Sequence, residues 1–272
     1  MRPRLQPFGT DFGNGDADRR YFQADDQLER YLAAKRGRPR ERYRIARGAP
    51  AEDAAHARVL GWCERTLAKE RPDLVLDASA SFADRYAAIA DAVQEDFVVQ
   101  LREQDGDLDC DRAIAVYVCF PSSWRPERIL GWSFRQIHGP APDFADTAPA
   151  ADSLVSAMVE RGPYVRFVWT LVAHGELDHH PDDGPGTRFE AGTQDGWLRI
   201  ERQVTVPFPE EEASLFLIRT ILRPFADLAR DERETLARAV RCMPESTARY
   251  KGIEGRREAI LHALEAGAPE RA

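Results

Sequence analysis

The sequence predicts an α+β protein in which a five-stranded antiparallel sheet carries inserted and flanking helices. Three observations support this fold class. Apolar residues recur with helical spacing over residues 25–95, strand-like alternation replaces this spacing between residues 97 and 222, and helical spacing returns from residue 225. The strands do not alternate regularly with helices, as they would in a parallel sheet, so an antiparallel sheet is expected.

Three amphipathic helices are predicted in the N-terminal region, which comprises residues 1–95 and is expected to pack on the core. The apolar spacing places them at Asp25–Arg36, Ala51–Glu70 and Ser81–Glu95. Pro72 ends the second helix, because proline cannot continue a helix, and Ser79 or Ser81 can cap the third.

Five strands are predicted within residues 96–224. Alternation and enrichment in β-branched and aromatic residues place them at Phe97–Glu103, Arg112–Phe120, Tyr164–Ala173, Trp197–Val206 and Ala213–Leu222. Two helices, around Pro126–His138 and over Ala150–Arg161, are expected between the second and third strands. Residues 175–196 are rich in Gly, Asp and Pro, which predicts a long loop.

Two helices are predicted at the C-terminus, within residues 225–272. They cover Phe225–Met243 and Glu245–Ala266. Pro224 stands where proline is favoured, at the first turn of a helix. The N-terminal region, the sheet and the C-terminal helices are expected to form one compact unit.

Composition and missing motifs exclude several function classes. The chain has 272 residues and a net charge of −8, and its acidic residues are spread along the sequence, which argues against a nucleic-acid partner. No apolar run approaches the roughly 18 residues of a membrane span, and no secretory signal is visible. Four scattered cysteines predict reduced thiols in a cytoplasm. Nucleotide-binding, serine-hydrolase and zinc-hydrolase motifs are absent from the sequence.

The fourth strand contains the most informative polar pattern. Alternation puts Arg199, Glu201 and Gln203 on one face, and Arg219 interrupts the otherwise apolar fifth strand. If the hairpin register sets Glu201 opposite Arg219, the two residues form a cross-strand ion pair. The pattern alone fits a structural salt bridge on a solvated face as well as it fits a pocket.

Histidines are the next candidates. His138 ends a short helix that is rich in aromatic residues, and a neutral imidazole there is what a haem iron requires as a ligand. Taken alone, the pattern favours a core or helix-capping histidine. His174 ends a strand and is ambiguous, whereas His179 and His180 lie in the polar loop and are expected to be solvated.

Several segments together resemble the haem-dependent oxidative N-demethylase family. The stretch VYVCFPSSWRPERILGWSFRQIHGPAP is similar to a family block in which a strand ends F-P-S-x-W-x-P and a helix ends I-H-x-P-x-P. RFVWTLV, LRIERQVTVPFP and FLIRTILRPF resemble three family strands, and RYKG resembles a family ending. The resemblance runs from about Tyr21 to Tyr250.

The resemblance implies a PAS-like sheet that binds haem b, and the absence of C-x-x-C-H indicates that the haem is not covalently attached. It further implies a monooxygenase, similar to the haem subunit of dimethylamine monooxygenase, that uses dioxygen to remove a methyl group from a small amine as formaldehyde. Electrons would come from NADPH through flavin and an iron–sulfur centre on a partner reductase. A non-catalytic haem-PAS sensor or binding protein is the alternative, and an oligomer is compatible with either.

Residue roles follow from the matched motifs. His138 stands at the I-H-x-P position and becomes the expected iron ligand, with His174 as the alternative. Arg219 and Glu201 become the catalytic pair: Arg219 would meet a haem propionate or polarise dioxygen, and Glu201 would bind a protonated amine or relay protons. Arg199 and Gln203 are further cofactor-binding candidates.

Two positions depart from the family pattern. Val168 stands where the family usually has Asn, and Ile221 stands where it has Tyr. Both changes make the interior less polar, which indicates a substrate other than dimethylamine.

Overall fold

One antiparallel sheet runs through the structure, a computed structural model that describes residues 5–103, 111–141, 151–182, 189 and 195–265. Within these residues the sheet has seven strands in the order β1-β5-β6-β7-β3-β4-β2. The strands are β1 (Gln6–Pro7), β2 (Arg44–Ile45), β3 (Asp96–Arg102), β4 (Asp111–Tyr117), β5 (Tyr164–Val172), β6 (Trp197–Phe208) and β7 (Ala213–Pro224).

The described residues also form eight α-helices. They are α1 (Leu28–Arg36), α2 (Pro50–Glu70), α3 (Phe82–Ala90), α4 (Phe134–His138), α5 (Ala151–Glu160), α6 (Arg230–Arg241), α7 (Glu245–Tyr250) and α8 (Arg257–Glu265). None of these helices combines the length and the apolar character that crossing a bilayer requires.

The α+β class and the antiparallel pairing are confirmed, but the predicted number of strands is wrong. The five predicted strands are present as β3 to β7. The sheet of the described residues has two more strands, β1 and β2, which pair with Val165 and Val116 and their neighbours. Each has only two residues, too few for an alternating pattern, so their pairing depends on contacts with residues far away in sequence.

Two helix predictions also need correction. The third predicted helix ends at Ala90 instead of Glu95, and the residues that follow lead directly into β3. The second C-terminal helix is divided into α7 and α8, because Gly252 and Gly255 adopt φ values of +71° and +69°, which end a right-handed helix. The predicted helix end at Ala266 and parts of the predicted loop (residues 183–188 and 190–194) lie outside the described residues.

The two faces of the sheet have different neighbours. On the face that we call the inner face, Val204 and Leu217 belong to a buried cluster with side chains of α2 and α3. At the other end of the inner face, Leu171 and Leu198 pack with the C-terminal helices. Helices α4 and α5 lie on the opposite face, which we call the site face and which carries Glu201.

The interior also encloses charged residues that attach the N-terminal segment to the sheet. Lys35 Nζ lies 3.1 Å from Asp96 Oδ1 and donates to the carbonyl of Glu95 at 2.6 Å. The Glu95 carboxylate accepts a hydrogen bond of 2.9 Å from the backbone N–H of Gln23. Burial raises the pKa of Glu95, and the positive charge of Arg219 opposes this shift.

Replacing Glu95 with glutamine is expected to remove a pH-dependent loss of stability. Because the pKa of Glu95 is raised above 4.5 on folding, the folded state binds this proton more tightly than the unfolded state does. The free energy of unfolding therefore contains a component that falls as the pH rises from about 4.5 through the raised pKa.

Urea unfolding from about pH 4.5 to about pH 8 measures this component. The decline should be smaller in Glu95→Gln than in the wild-type protein. Glu29→Gln is the matched control, since Glu29 is exposed and should leave the profile unchanged. Identical profiles for Glu95→Gln and wild type would contradict the prediction.

Candidate functional site

A row of polar side chains crosses the centre of the site face. Alternation along β6 puts Arg199, Glu201 and Gln203 on this face, and Arg166 of β5 pairs with Gln203. Glu201 Oε1 lies 3.6 Å from Arg199 Nε, and Glu201 Oε2 accepts a hydrogen bond of 2.9 Å from Gln203 Nε2. Arg166 Nε donates to Gln203 Oε1 at 2.6 Å. The row therefore runs cation, carboxylate, amide, cation.

Arg199 is the fixed end of this row. Its side chain is 0 % exposed, and its Nη atoms donate to the carbonyls of Leu177 at 2.9 Å and Phe120 at 2.5 Å and to Thr220 Oγ1 at 3.0 Å. Such charge-assisted bonds are about twice as strong as neutral ones. Arg199 therefore ties two crossing segments to the sheet and places a fixed positive charge 3.6 Å from Glu201.

His138 is the last residue of α4, which begins with a capping box. Ser133 Oγ accepts from the Gln136 N–H at 3.2 Å, and Gln136 Oε1 accepts from the Ser133 N–H at 2.9 Å. His138 Nδ1 lies 2.9 Å from the carbonyl of Phe134, and the two rings stack with their centroids 4.0 Å apart. The short helix thus holds the imidazole in a defined orientation.

His138 is a neutral imidazole near pH 7. Burial lowers its pKa to about 4; the hydrogen bond with Phe134 opposes this shift, and the positive charge of Arg166 adds to it. The influence of Arg166 also locates His138 near the polar row. The contact with the Phe134 carbonyl requires a proton on Nδ1, so Nε2 carries the lone pair that a metal ion can accept.

The protein covers the apolar side chains around the row only in part. Val168 of β5 pairs with Glu201. On the other side of β6, Ile218 of β7 pairs with Gln203, and Phe216 of β7 pairs with Thr205. All three apolar side chains are partly exposed, whereas Val204 on the inner face of β6 is fully buried. A partly exposed apolar surface in the centre of a sheet, bordered by polar groups, is typical of a binding surface.

The C-terminal segment contributes two more polar groups at the edge of β5. Lys251 Nζ donates to the carbonyl of Trp169 and lies 4.9 Å from the centroid of its indole ring. Burial lowers the pKa of Lys251, and the charge of Glu201 opposes this shift. Burial and the charge of Glu201 both raise the pKa of Tyr250. Both side chains therefore lie within electrostatic range of Glu201.

The predicted ion pair between Glu201 and Arg219 is wrong. In the structure, β6 and β7 pair Glu201 with Thr220 and Arg202 with Arg219. This register differs by one residue from the predicted one, and a shift of one residue turns a side chain to the other face. Arg219 therefore lies on the inner face, where it forms an ion pair with Asp25.

Of the two departures from the family pattern, only Val168 lies on the site face. Ile221 pairs with Ile200, which packs on the inner face with the C-terminal helices. Strand alternation thus turns Ile221 away from the polar row. Of these two positions, only Val168 therefore makes the surroundings of Glu201 less polar.

The remaining candidate histidines lie in the segment that follows β5. His179 and His180 are 2 % and 4 % exposed, so the prediction that both are solvated is wrong. The backbone of His179 forms a parallel bridge with Ser122, a long-range contact of this segment. His174, the alternative iron ligand, lies beside His179 with 4.9 Å between ring centroids, whereas His138 lies within electrostatic range of Arg166.

Glu127, His180 and Asp182 form a cluster of possible metal ligands whose ligand atoms lie within 4.8 Å of one another. His180 Nε2 lies 3.2 Å from Glu127 Oε2, and His180 Nδ1 accepts from the Asp182 N–H at 3.3 Å. Arg125 Nε donates to the Asp182 carboxylate at 2.9 Å. Because both ring nitrogens and the Asp182 carboxylate already have partners, the cluster fits a structural hydrogen-bond network better than a metal site.

Arg166, Tyr250 and Lys251 were not predicted as site residues. Arg166 was visible as the one charged residue of the third predicted strand, YVRFVWTLVA, on the same alternating face as Val168. RYKG contains Tyr250 and Lys251, but only the fold reveals that Lys251 reaches Trp169, 82 residues earlier.

Replacing Arg199 with methionine is expected to destabilise the protein by about 3–5 kcal/mol, the usual effect of removing one partner of a buried charged network. The change leaves the carbonyls of Leu177 and Phe120 without their donor and Glu201 without its nearest cation. Chemical denaturation measures the loss. Arg161→Met is the matched control, because Arg161 is exposed, and it should change stability by at most about 0.5 kcal/mol. Equal stability of the two variants would refute this role of Arg199.

A family model described as HODM_asu-like, haem-dependent oxidative N-demethylase, alpha subunit-like, matches residues 21–261. The match begins before α1 and ends within α8. It therefore includes the polar row, His138 and the C-terminal segment with Tyr250 and Lys251.

Proposed function

The chain belongs to the haem-dependent oxidative N-demethylase, alpha subunit-like family, and on this basis we propose that it is a haem-dependent oxygenase that removes a methyl group from a small amine. The observation that carries the proposal is the position of His138, a neutral imidazole next to a partly exposed apolar surface on the site face. We propose His138 Nε2 as the iron ligand and haem b as the cofactor.

The residues fit a haem in two respects. The Nδ1 contact with the Phe134 carbonyl is the kind of second interaction that fixes the tautomer and the ring orientation of a ligating histidine. The apolar side chains of Val168, Ile218 and Phe216 offer a surface on which a flat macrocycle can lie. When bound, haem b supplies the activation of dioxygen that oxidises the N-methyl group and releases it as formaldehyde.

In this proposal, Glu201 binds the substrate amine. A carboxylate on a largely apolar surface is a suitable acceptor for an N–H group, and it can also take up a proton from the amine. Gln203 donates a hydrogen bond to one oxygen of this carboxylate, and the charge of Arg199 lies 3.6 Å from the other. The catalytic role first assigned to the pair of Arg219 and Glu201 is thus proposed for Glu201 with Arg199, and a structural role is proposed for Arg219.

We also propose the class of substrate and the electron source. Val168 faces Glu201 across the strand pair, so an N-alkyl group bulkier than methyl would find an apolar contact there. The proposed substrate is accordingly a small N-methyl amine other than dimethylamine. Electrons are proposed to come from NADPH through a partner reductase that carries flavin and an iron–sulfur centre.

Replacing His138 with alanine is expected to abolish the absorption spectrum of histidine-ligated haem. The wild-type protein loaded with haem should show a Soret band, and added imidazole should restore this band in His138→Ala by occupying the vacated space. His262→Ala is the control, because His262 is exposed and should have no effect. A loss of the band in His174→Ala, with an unchanged spectrum in His138→Ala, would reassign the ligand. A wild-type protein that binds no haem would contradict the proposed function.

Replacing Glu201 with glutamine is expected to lower formaldehyde release by roughly 100-fold, the usual size of a general acid–base contribution. The assay supplies haem-loaded protein, NADPH, a surrogate reductase and a panel of N-methyl amines, and the Soret band should remain. Glu210→Gln, at an exposed position, should keep full activity. Haem binding without turnover of any amine by the wild-type protein would favour the haem sensor or binding protein instead.

A further inference from the structure

We propose that Arg166, acting through Gln203, positions the Glu201 carboxylate to accept the N–H group of the amine. Arg166 and Gln203 are then positioning residues, and neither needs to touch the substrate. Hydrogen bonds join the three side chains along the whole path from Arg166 to Glu201, which we call the orienting path. The inference rests on the proposed function, because Glu201 is the residue proposed there to bind the amine.

The register of β5 and β6 brings the members of the orienting path together. Arg166 lies directly opposite Gln203 in this strand pair, and Cβ atoms at such positions are about 5 Å apart. Gln203 and Glu201 are two residues apart on β6, so they share the site face. A register shift of one residue would turn Arg166 to the other face. The orienting path is therefore a consequence of the observed strand pairing.

The amide of Gln203 has one orientation that suits both of its neighbours. Arg166 Nε can only donate a hydrogen bond, and it donates to Gln203 Oε1 at 2.6 Å. The NH2 group at the other end of the amide then donates to Glu201 Oε2 at 2.9 Å. Half a turn of the amide would set donor against donor at Arg166 and acceptor against acceptor at Glu201. Arg166 therefore determines which end of the amide Glu201 meets.

Burial gives this orientation its effect. Gln203 is only 8 % exposed, so little water is present to satisfy a wrongly oriented amide, and unpaired buried polar groups are costly. The side chain of Glu201 is 19 % exposed, which leaves it accessible to a ligand. The orienting path thus leads from an enclosed amide to a carboxylate that a ligand can reach.

The contacts of Glu201 with the described residues leave room for an amine. Gln203 donates to Oε2, and the guanidinium of Arg199 lies 3.6 Å from Oε1, whereas an ionised carboxylate offers about four acceptor positions. A glutamate side chain loses rotamer freedom when it binds a ligand. A donor that restrains the carboxylate beforehand removes part of this loss, and the result is a higher affinity for the amine.

A double-mutant cycle tests whether Arg166 acts through Gln203. Haem-loaded protein is titrated with N-methylethylamine, and the shift of the Soret band reports the affinity. Gln203→Met and Arg166→Met should each weaken binding about tenfold, the usual effect of losing one charged hydrogen bond. In the Gln203→Met background, Arg166→Met should have no further effect, because the amide that it orients is already gone. Additive effects, or an unchanged affinity in either single variant, would overturn the inference.

The side-chain amide of Gln203 provides a second readout, which needs neither haem nor substrate. Nuclear magnetic resonance of protein labelled at its glutamine amides shows a pair of NH2 signals for each glutamine, and Gln203→Met identifies the pair of Gln203 by its loss. This pair should shift in Arg166→Met and in Glu201→Met, since each variant removes one partner of the amide. Signals that stay in place in Arg166→Met would contradict the orienting path.

Matched variants separate positioning from folding. Arg65→Met and Gln27→Met make the same chemical changes at exposed positions and should change neither the amine affinity nor the signals of Gln203. Arg166→Lys, which keeps a donor for Gln203 Oε1, should recover part of the affinity, and unfolding midpoints show whether each variant is folded. A wild-type protein that binds no haem would contradict the proposed function, whereas additivity in the cycle contradicts only the positioning by Arg166.

Discussion

The pairing of β6 with β7 determines on which side of the sheet each interior charge lies. Because successive side chains of a strand point to opposite faces, Arg199 and Glu201 share the site face while Arg202, between them, lies on the inner face. In the observed register, Thr220 pairs with Glu201 and Arg219 pairs with Arg202. A shift of one residue would put Arg219 beside Glu201 and turn it away from its partner Asp25. The observed register keeps two separate sets of charges, one on each face.

These two sets of charges have different consequences. On the inner face, Arg219 and Arg202 lie directly opposite each other, an arrangement of like charges that is unfavourable by itself. The buried carboxylate of Glu95 acts on both cations, and Asp25 pairs with Arg219. The inner set therefore connects the N-terminal segment to the central strands and is complete within the protein. The set on the site face has more positive than negative charge, which is an arrangement that suits a ligand.

The sequence allowed the strands and the candidate ligand to be predicted, but not their arrangement. Alternation predicted β3 to β7, because one or both faces of each strand are buried, and it grouped Arg199, Glu201 and Gln203 correctly on one face. The register of β6 and β7 was not fixed, because alternation within each strand is the same for either register. Alternation also could not predict that His179 and His180 are buried. Their segment pairs through its backbone with Ser122, a contact between residues far apart in sequence.

Residues from distant parts of the chain meet at the site for a topological reason. Among the residues that the structure describes, β5 has a paired neighbour on one side only from Arg166 onward, since β1 pairs no farther than Val165. The segment after α7 can therefore reach the carbonyl of Trp169 at this open edge, and in doing so it brings Lys251 within range of Glu201. A longer β1 would occupy this edge and exclude Lys251. The shortness of β1, which made that strand invisible in the sequence, is thus the feature that leaves this edge of β5 accessible to Lys251.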